Sequence, residues 1–258
     1  MKNSELGNLG IQELRNYINT NAKPSHIVCE TLKRIFDFVA VCLGLTMISP
    51  IMAVIALLIK ANSHGPIFFR QDRVGLKEEV FKVYKFRTMV EGAEEMGTSI
   101  TTRNDFRITS VGRLIRMTKL DELPQLINVF KGEMSLVGPR PDVSGIVEKY
   151  TPEMRRIFQV RPGITSMATL HLRDEEGILA RVHDPDSFYE KVLVPLKVRL
   201  AMEHVDKNSL AFDLKILCQT IWMLTLGRWR PFEENRAVAE LKKRQYGSVA
   251  RYSQGIRK

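Results

Sequence analysis

The sequence is poor in the residues that build zinc sites and disulfide frameworks. It has three cysteines and five histidines in 258 residues, and neither set shows the spacing of metal ligands. Two of the cysteines lie in apolar runs. Cys29, Cys42 and Cys218 are therefore predicted to be buried free thiols in a reducing compartment, and a disulfide-stabilised secreted protein is disfavoured.

The sequence also lacks the features of an exported or a nucleic-acid-binding protein. Residues 1–24 are polar and contain no apolar core of a signal peptide. No helix-turn-helix pattern, aromatic-basic RNA motif or zinc-finger spacing is found. The net charge of +10 nevertheless indicates an anionic partner, and a phosphorylated substrate or an acidic membrane fits better than nucleic acid. A membrane-tethered nucleic-acid-binding protein and a non-catalytic scaffold are the alternatives.

One long apolar run, residues 35–59, is interrupted by a single charge. At ~1.5 Å per residue it is long enough to cross about 30 Å of hydrocarbon. Ser49 and Pro50 lie near its middle, where proline breaks or bends a helix, and basic residues flank both ends. If positive charge marks the cytoplasmic side, both ends are cytoplasmic. We therefore predict a re-entrant helix broken at Ser49-Pro50, with a kinked span or a buried core helix as alternatives.

The charged residues at the start of this run are predicted to anchor it at the membrane surface. Lys33 and Arg34 precede the run, and Asp37 follows them by one turn. Because a carboxylate is costly at membrane depth, Asp37 is expected to pair with an arginine at the interface.

Two segments after Gly65-Pro66 have the pattern of a β-hairpin. Residues 67–71 and 80–89 are predicted strands, joined through residues 73–77. Alternate residues of a strand share a face, which would place Lys85 and Arg87 together as a pair suited to phosphate. A solvated strand face is the other interpretation.

Two adjacent carboxylates, Asp121 and Glu122, precede Pro124 in a segment that ends at Gly132. Proline is tolerated in a first helical turn and glycine commonly ends a helix, so we predict a helix over about 122–131. Its positive end favours ionised carboxylates. Neighbouring side chains diverge by about 100° on a helix, so one carboxylate is expected to be a nucleophile or metal ligand and the other a base or supporting partner. An acidic turn that only stabilises the helix is the alternative.

Several arginines surround the acidic pair in the sequence. Ser110 is expected to cap a helix that presents Arg113 and Arg116 on one face. Prolines on both sides of Arg140 fix its backbone, and Arg161 precedes a further proline. Because a rigidly held guanidinium is a strong phosphate clamp, the sequence predicts a set of phosphate-binding residues: Lys85, Arg87, Arg116, Arg140 and Arg161.

Several sequence blocks occur in a fixed order between about Leu32 and Leu224. They are Lys33-Arg34-Ile35-Phe36-Asp37, Ser49-Pro50, Gly65-Pro66-Ile67-Phe68-Phe69-Arg70-Gln71, Phe81-Lys82-Val83-Tyr84-Lys85-Phe86-Arg87, Leu120-Asp121-Glu122-Leu123-Pro124, Gly138-Pro139-Arg140-Pro141 and Arg161-Pro162-Gly163-Ile164-Thr165. In this order they closely resemble the bacterial sugar transferases that initiate glycan assembly. The resemblance is to the compact form of the monotopic polyprenyl-phosphate phosphoglycosyl transferases.

The resemblance implies an enzyme that transfers a sugar-1-phosphate from a UDP-sugar to a polyprenyl phosphate, such as undecaprenyl phosphate, and releases UMP. It implies that Asp121 is the nucleophile of a covalent phosphosugar intermediate and that Glu122 is its partner. It also implies that Asp121 and Glu122 bind Mg²⁺, which assists the reaction. It places the enzyme on the cytoplasmic face of the bacterial inner membrane, where its product would start a capsule, O-antigen, exopolysaccharide or glycoprotein glycan. The chain departs from many relatives at Ser166-Met167-Ala168, so no sugar preference is transferred.

These features together predict an α+β, mostly helical protein with a re-entrant N-terminal helix, a β-hairpin and a small cytoplasmic catalytic domain. The expected divisions are a polar extension (1–28), the membrane helix (29–62), the catalytic domain with C-terminal interfacial helices (63–232) and a charged tail (233–258). Helices are expected over 188–204, interrupted at Pro195, and over 210–226. Membrane lipid is an expected partner, and a homo-oligomer is compatible with the sequence.

Overall fold

The computed structural model describes residues 24–96, 101, 105–172, 175–180 and 182–225. This part of the chain is mostly helical and contains four short strands, which confirms the predicted α+β, mostly helical class. The predicted charged tail lies outside the described residues, as does most of the N-terminal extension.

A single helix of 39 residues, α1 (Pro24–Asn62), forms the N-terminal part of the fold. It begins before the predicted boundary at residue 29 and continues through Ser49 and Pro50, so the predicted break in helical structure is not observed. Pro50 has no N–H to donate to the carbonyl of Thr46, four residues earlier. Ser49 Oγ donates to that carbonyl instead, at 3.0 Å. The serine therefore satisfies the carbonyl that the proline leaves without its usual partner.

One stripe of α1 packs against the rest of the protein along most of its length. Asp37, Val41, Ile55 and Ile59 are buried, at spacings that place them on one helical face. Ten other large apolar side chains of the helix are exposed: Leu32, Ile35, Phe38, Val39, Leu43, Met47, Ile51, Val54, Leu57 and Leu58. The segment Glu30–Asn62 is long and apolar enough to cross a membrane. An outer face of this kind indicates a lipid or other apolar contact.

The predicted hairpin is confirmed. Strands β1 (Phe68–Val74) and β2 (Val80–Phe86) pair antiparallel, with Phe69 opposite Lys85. The second strand ends at Phe86 instead of the predicted residue 89, and Met89 forms an isolated bridge with Ile108. Arg87 therefore lies beyond the strand.

The central segment contains two helices and a parallel strand pair. Helix α2 (Ser110–Met117) is followed by a 3-10 turn (Leu120–Glu122), helix α3 (Gln125–Lys131) and strand β3 (Ser135–Val137), which pairs with β4 (Gly163–Thr165). The N-cap of α2 is Thr109, whose side chain accepts from the Gly112 N–H, and not the predicted Ser110.

The C-terminal half of the described chain is helical. The predicted helix around Pro195 consists of α7 (Pro185–Phe188), a π-helical turn (Tyr189–Leu193) and α8 (Val194–Lys207), and the irregularity precedes the proline because Pro195 lies in the first turn of α8. Helix α9 spans Leu210–Thr225, close to its predicted range. Shorter helices are α4 (Ser144–Val147), α5 (Met167–His171), α6 (Glu175–Leu179) and a 3-10 helix (Met154–Gln159).

Helix α1 contributes to two separate parts of the apolar core. Its first half packs through Val41 against Val129 and Met134, and its second half packs through Ile55 and Ile59 against Phe86. The prediction of buried cysteines is wrong for Cys218, which is exposed on α9, while Cys42 is half-buried. The side chain of Cys29 lies outside the described part of the structure.

Candidate active site

The acidic pair lies on the 3-10 turn Leu120–Glu122 and not on the helix that was predicted to carry it. Helix α3 begins only at Gln125, with Pro124 at its N-cap position. Lys119, just before the turn, has a left-handed backbone with φ 59°. The two carboxylates therefore occupy a tight bend between α2 and α3 and have different surroundings.

Glu122 is held by two cations. Lys85 Nζ donates to its Oε1 at 3.0 Å, and Arg140 donates to both carboxylate oxygens, at 2.5 Å to Oε1 and 3.3 Å to Oε2. Burial favours the protonated form, but the charges of Arg140 and Lys85 outweigh it and hold the pKa of Glu122 well below its usual range. Glu122 is therefore ionised and fixed in position.

Asp121 is buried, with 9% of its surface exposed, and its Oδ1 has no hydrogen-bond partner among the described residues. Burial, and then the negative charge of Glu122, raise the pKa of Asp121. A buried carboxylate oxygen without a partner is costly, and functional sites are where such groups persist. Of the two carboxylates, Asp121 is the one with an oxygen free to react.

Arg140 reaches Glu122 from the loop that follows β3. Its backbone is fixed by Pro139 and Pro141, as the sequence predicted. The loop starts at Gly138, where an added Cβ would lie 2.3 Å from the carbonyl oxygen of Arg161. The close pairing of β3 with β4 therefore requires glycine at this position and sets the starting point of the Arg140 loop.

Two other predicted phosphate ligands are bound elsewhere in the present structure. Arg116, on α2, donates to Thr88 Oγ1 at 3.3 Å and forms an ion pair with Glu176. Arg87 is buried and donates to the carbonyl and the hydroxyl of Ser63, at the end of α1, while its Nε and Nη1 have no partner among the described residues. Arg87 therefore does not join Lys85 at Glu122.

Arg161 lies at the opposite end of α3 from the acidic pair. Its Nε donates to the carbonyl of Gly132 at 3.0 Å, just past the C-terminus of that helix. This contact stabilises the helix end, and a phosphate-binding role for Arg161 stays a prediction.

Lys33 and Asp37, two of the residues predicted as interfacial anchors, contact other parts of the protein near the site. Lys33 donates to the Val137 carbonyl at 2.9 Å and pairs with Asp213 of α9 at 2.5 Å. Asp37 is buried and accepts from the Leu136 N–H at 3.3 Å. These contacts hold β3, and through it the loop that carries Arg140.

Arg34 provides a second contact between α1 and the site. It donates to the carbonyls of Val129 and Phe130 at 2.6 and 2.9 Å, in the last turn of α3. A guanidinium at the negative end of a helix is favourable. Helix α1 therefore supports both the helix that follows the acidic pair and the strand that precedes Arg140.

Sequence analysis missed further charged residues around the Arg140 loop. Arg73, at the end of β1, donates to the Pro141 carbonyl at 3.1 Å. Lys197 is buried on α8 and pairs with Glu175 at 2.7 Å. Arg73 lies in the Gln71-Asp72-Arg73 run of the hairpin, which could have identified it. No sequence pattern predicts that Glu175 pairs with Lys197 or that Glu176 pairs with Arg116.

Of the two carboxylates of the acidic pair, only that of Asp121 is well suited to bind Mg²⁺. Within the described residues no group of three or more His, Cys, Asp or Glu side chains could hold a metal. Mg²⁺ commonly takes one or two carboxylates together with substrate phosphates, and the partnerless Oδ1 of Asp121 fits that mode. Glu122 fits this binding mode less well, because its carboxylate already forms ion pairs with Lys85 and Arg140.

Comparison with known proteins identifies the family. Residues 28–227 match the family described as bacterial sugar transferase. The chain belongs to this family. The chain is also similar to the exopolysaccharide production protein PSS of Rhizobium leguminosarum bv. phaseoli, at 41% identity over 74% of this chain and 93% of the relative.

Two further relatives are longer proteins. The UDP-N-acetylgalactosamine-undecaprenyl-phosphate N-acetylgalactosaminephosphotransferase of Aeromonas hydrophila is 35% identical over 76% of this chain and 44% of its own length. The UDP-glucose:undecaprenyl-phosphate glucose-1-phosphate transferase of Escherichia coli (strain K12) is 38% identical over 74% of this chain and 39% of its own. The chain thus spans less than half of each of these two proteins.

Proposed function

We propose that this protein transfers a sugar-1-phosphate from a UDP-sugar to undecaprenyl phosphate through a covalent intermediate on Asp121. The observation that carries the proposal is the contrast within the acidic pair, in which Glu122 is held by two cations and Asp121 has an oxygen without a partner. The names of the relatives supply the substrate class. They include N-acetylgalactosamine, glucose and galactose, so we assign no particular sugar.

In the first step, a carboxylate oxygen of Asp121 attacks the phosphorus that carries the sugar. The bond from that phosphorus to the bridging oxygen breaks, and the bridging oxygen leaves as part of UMP. In the second step, a phosphate oxygen of undecaprenyl phosphate attacks the same phosphorus and displaces the Asp121 carboxylate. The product is undecaprenyl-diphosphate-sugar, and the enzyme returns to its starting state.

Both steps bring anions together, so the site needs positive charge. Lys85 and Arg140 lie at the acidic pair, and Arg116 is within electrostatic reach of Asp121. Mg²⁺, when bound, would neutralise further charge on the phosphates. Burial that raises the pKa of Asp121 also leaves its ionised form poorly solvated and therefore more nucleophilic.

The acceptor carries a long lipid tail, so the site must lie at a membrane surface. We propose that α1 is re-entrant, with both ends on the cytoplasmic side of the bacterial inner membrane and the catalytic domain in the cytoplasm. Its exposed apolar face and the basic residues at its two ends support this arrangement. Exposed Ile221 and Leu224 of α9 support a further contact of that helix with the interface. The product would begin assembly of a bacterial surface glycan.

The covalent mechanism is tested by leaving the acceptor out. Purified protein is mixed with a panel of UDP-sugars and Mg²⁺, and UMP and the protein mass are measured. We expect UMP in an amount stoichiometric with enzyme, and a mass gain of one phosphosugar. Asp121→Asn should abolish both, because an amide is a very poor nucleophile at phosphorus, whereas Asp72→Asn, on the exposed hairpin, should leave both intact.

The Glu122→Gln variant distinguishes the roles within the pair. If Asp121→Asn keeps the UMP burst while Glu122→Gln loses it, the roles are reversed. If UMP appears only when both substrates are present, and no covalent adduct forms, direct transfer replaces the two-step mechanism.

A further inference from the structure

One face of the β-hairpin has apolar side chains where it contacts α1 and a cationic side chain, Arg70, at the next position. Phe68 pairs with Phe86 across the strands, and these rings stack 5.5 Å apart. The apolar cluster of Phe86 includes Ile55 and Ile59 of α1. The next pair on this face is Arg70 with Tyr84. Residues at alternate positions share a face of a strand, so Arg70 and Tyr84 lie one step from the part of the hairpin that contacts the apolar helix.

Tyr84 lies between two cations. The Arg70 guanidinium is 5.1 Å from the ring centroid, and Lys131 Nζ is 4.7 Å from it. Lys131 also donates to Tyr84 Oη at 2.9 Å. The tyrosine accepts that bond, so its own hydroxyl proton points elsewhere. We refer to Arg70, Tyr84 and Lys131 as the Tyr84 cluster.

The positive charge of the Tyr84 cluster is not neutralised by an ion pair. In the described chain, neither Arg70 nor Lys131 has a carboxylate within ion-pair distance. The acidic group within electrostatic reach is Glu133, whose Oε2 accepts from Asn128 at 2.7 Å. By contrast, Lys82, two residues before Tyr84, pairs with Asp72 at 2.9 Å. The cluster therefore has two cations and a hydroxyl donor available for an external anion.

The first half of α1 contacts the residue that precedes Lys131. Phe130, next to Lys131, stacks on Phe38 of α1 with ring centroids 5.3 Å apart. Both rings are exposed, with 46% and 43% of their surfaces accessible. Phe38 belongs to the apolar outer face of α1, which would contact lipid. Contacts to both halves of the apolar helix thus border the cluster. If both ends of α1 lie on the cytoplasmic side, as proposed above, the cluster lies at the level of the lipid headgroups.

We propose that the Tyr84 cluster binds the phosphate headgroup of a membrane lipid. Arg70 and Lys131 supply the charge, Tyr84 supplies a hydroxyl donor, and the exposed phenylalanines border the acyl chain. The cluster is separate from the acidic pair, because Tyr84 and Lys85 are neighbours on β2 and point to opposite faces. The inference goes beyond the transfer reaction, and an acidic phospholipid and a polyprenyl phosphate share the chemistry it requires.

Binding is measured without UDP-sugar, so that failure of the transfer mechanism does not affect the result. Full-length protein in neutral detergent is titrated with short-chain phosphatidylglycerol, phosphatidylcholine, short-chain polyprenyl phosphate and inorganic phosphate. We expect one or both anionic lipids to bind more tightly than phosphatidylcholine and inorganic phosphate. Arg70→Gln and Lys131→Gln should each weaken that binding about tenfold, the effect of losing one charge-assisted contact.

Lys82→Gln is the matched control, because it removes one positive charge from the same hairpin outside the cluster. It should leave lipid binding unchanged, and Tyr84→Phe should weaken binding without altering the charge. The preferred lipid identifies the source of the phosphate. Equal binding of inorganic phosphate, an equal loss in Lys82→Gln, or unchanged binding in Lys131→Gln would each overturn the proposal.

Discussion

The two carboxylates of the acidic pair are neighbours in sequence but differ in their electrostatic surroundings. Glu122 has its charge balanced by Lys85 and Arg140. Asp121 is buried beside that glutamate and has a raised pKa. Two carboxylates at adjacent positions can thus serve two roles, because burial and charge partners, and not the intrinsic acidity, decide the protonation state.

Substituting each member of the pair should change stability in opposite directions. The folded-state pKa of Asp121 is raised, so ionising it costs stability as the pH rises above its unfolded value of about 3.9. Asp121→Asn should therefore raise Tm at pH 7 relative to wild type, and the gain should vanish below that value. Thermal unfolding with Mg²⁺ chelated checks this. A lower Tm for Asp121→Asn at pH 7 would contradict the burial argument.

Glu122 has a lowered folded-state pKa, so its stabilising effect is present above its unfolded value of about 4.3 and is lost as the pH falls through the folded value. Glu122→Gln leaves Arg140 and Lys85 without their carboxylate and should cost roughly 3 kcal/mol at pH 7. Denaturant unfolding at several pH values measures this cost. The destabilisation should shrink towards low pH, and a loss independent of pH would point to packing instead.

The contact of Arg140 with Glu122 leads to a further prediction. Two of its nitrogens reach the two oxygens of Glu122, a grip that a single ammonium cannot reproduce. Arg140→Lys should lower turnover by about tenfold, which corresponds to ~1.4 kcal/mol of transition-state stabilisation. The control is Arg155→Lys, since Arg155 pairs with Glu78 on the surface. Equal turnover of Arg140→Lys and wild type would restrict Arg140 to a structural role.

At the scale of secondary structure, the Ser49-Pro50 pair shows how a helix tolerates an internal proline. The serine hydroxyl takes the position of the missing donor at the Thr46 carbonyl. The sequence predicted a break of the helix at this pair, whereas helical structure continues through it.

This interpretation predicts coupling between Ser49 and Pro50. In the wild-type background Ser49→Ala should cost about 1 kcal/mol, because the Thr46 carbonyl loses its hydrogen bond. In a Pro50→Leu background the backbone N–H is restored, and the same change should cost almost nothing. A double-mutant cycle on unfolding in detergent measures the difference. Equal costs in both backgrounds would show that the serine does not compensate for the proline.

At the scale of the whole molecule, α1 is both the apolar element and the support of the site. Lys33, Arg34 and Asp37 contact β3 and the end of α3. If α1 lies in the membrane as proposed, a change in its position would alter the positions of Arg140 and the acidic pair. Membrane placement and catalysis are expected to depend on each other.

The topology of α1 can be tested by cysteine labelling in intact cells. With Cys42 and Cys218 replaced, native Cys29 reports one flank of the helix, and His64→Cys in a Cys29→Ser background reports the other. A re-entrant helix predicts that both are protected from an impermeant reagent outside and both react from the cytoplasmic side. Labelling of one flank from outside would show a spanning helix.

The sequence by itself determined the long apolar helix, the hairpin, the acidic pair and the proline-fixed Arg140. These features depend on local properties: hydrophobicity over a long run, alternation, and the backbone limits of proline and glycine. The order of the motifs also identified the family, which the match over residues 28–227 confirms.

Only the tertiary structure decided which groups meet. Glu122 contacts Lys85 from 37 residues away, and Lys33 contacts Val137 from 104 residues away. The residues alone could not separate Asp121 from Glu122, because their difference comes from these distant partners and from burial; only the family resemblance assigned the nucleophile to Asp121. It assigned Lys33, Arg34 and Asp37 to the membrane surface, since charge beside an apolar run has that pattern. Folding instead turns these side chains inward, where backbone groups of β3 and α3 need partners.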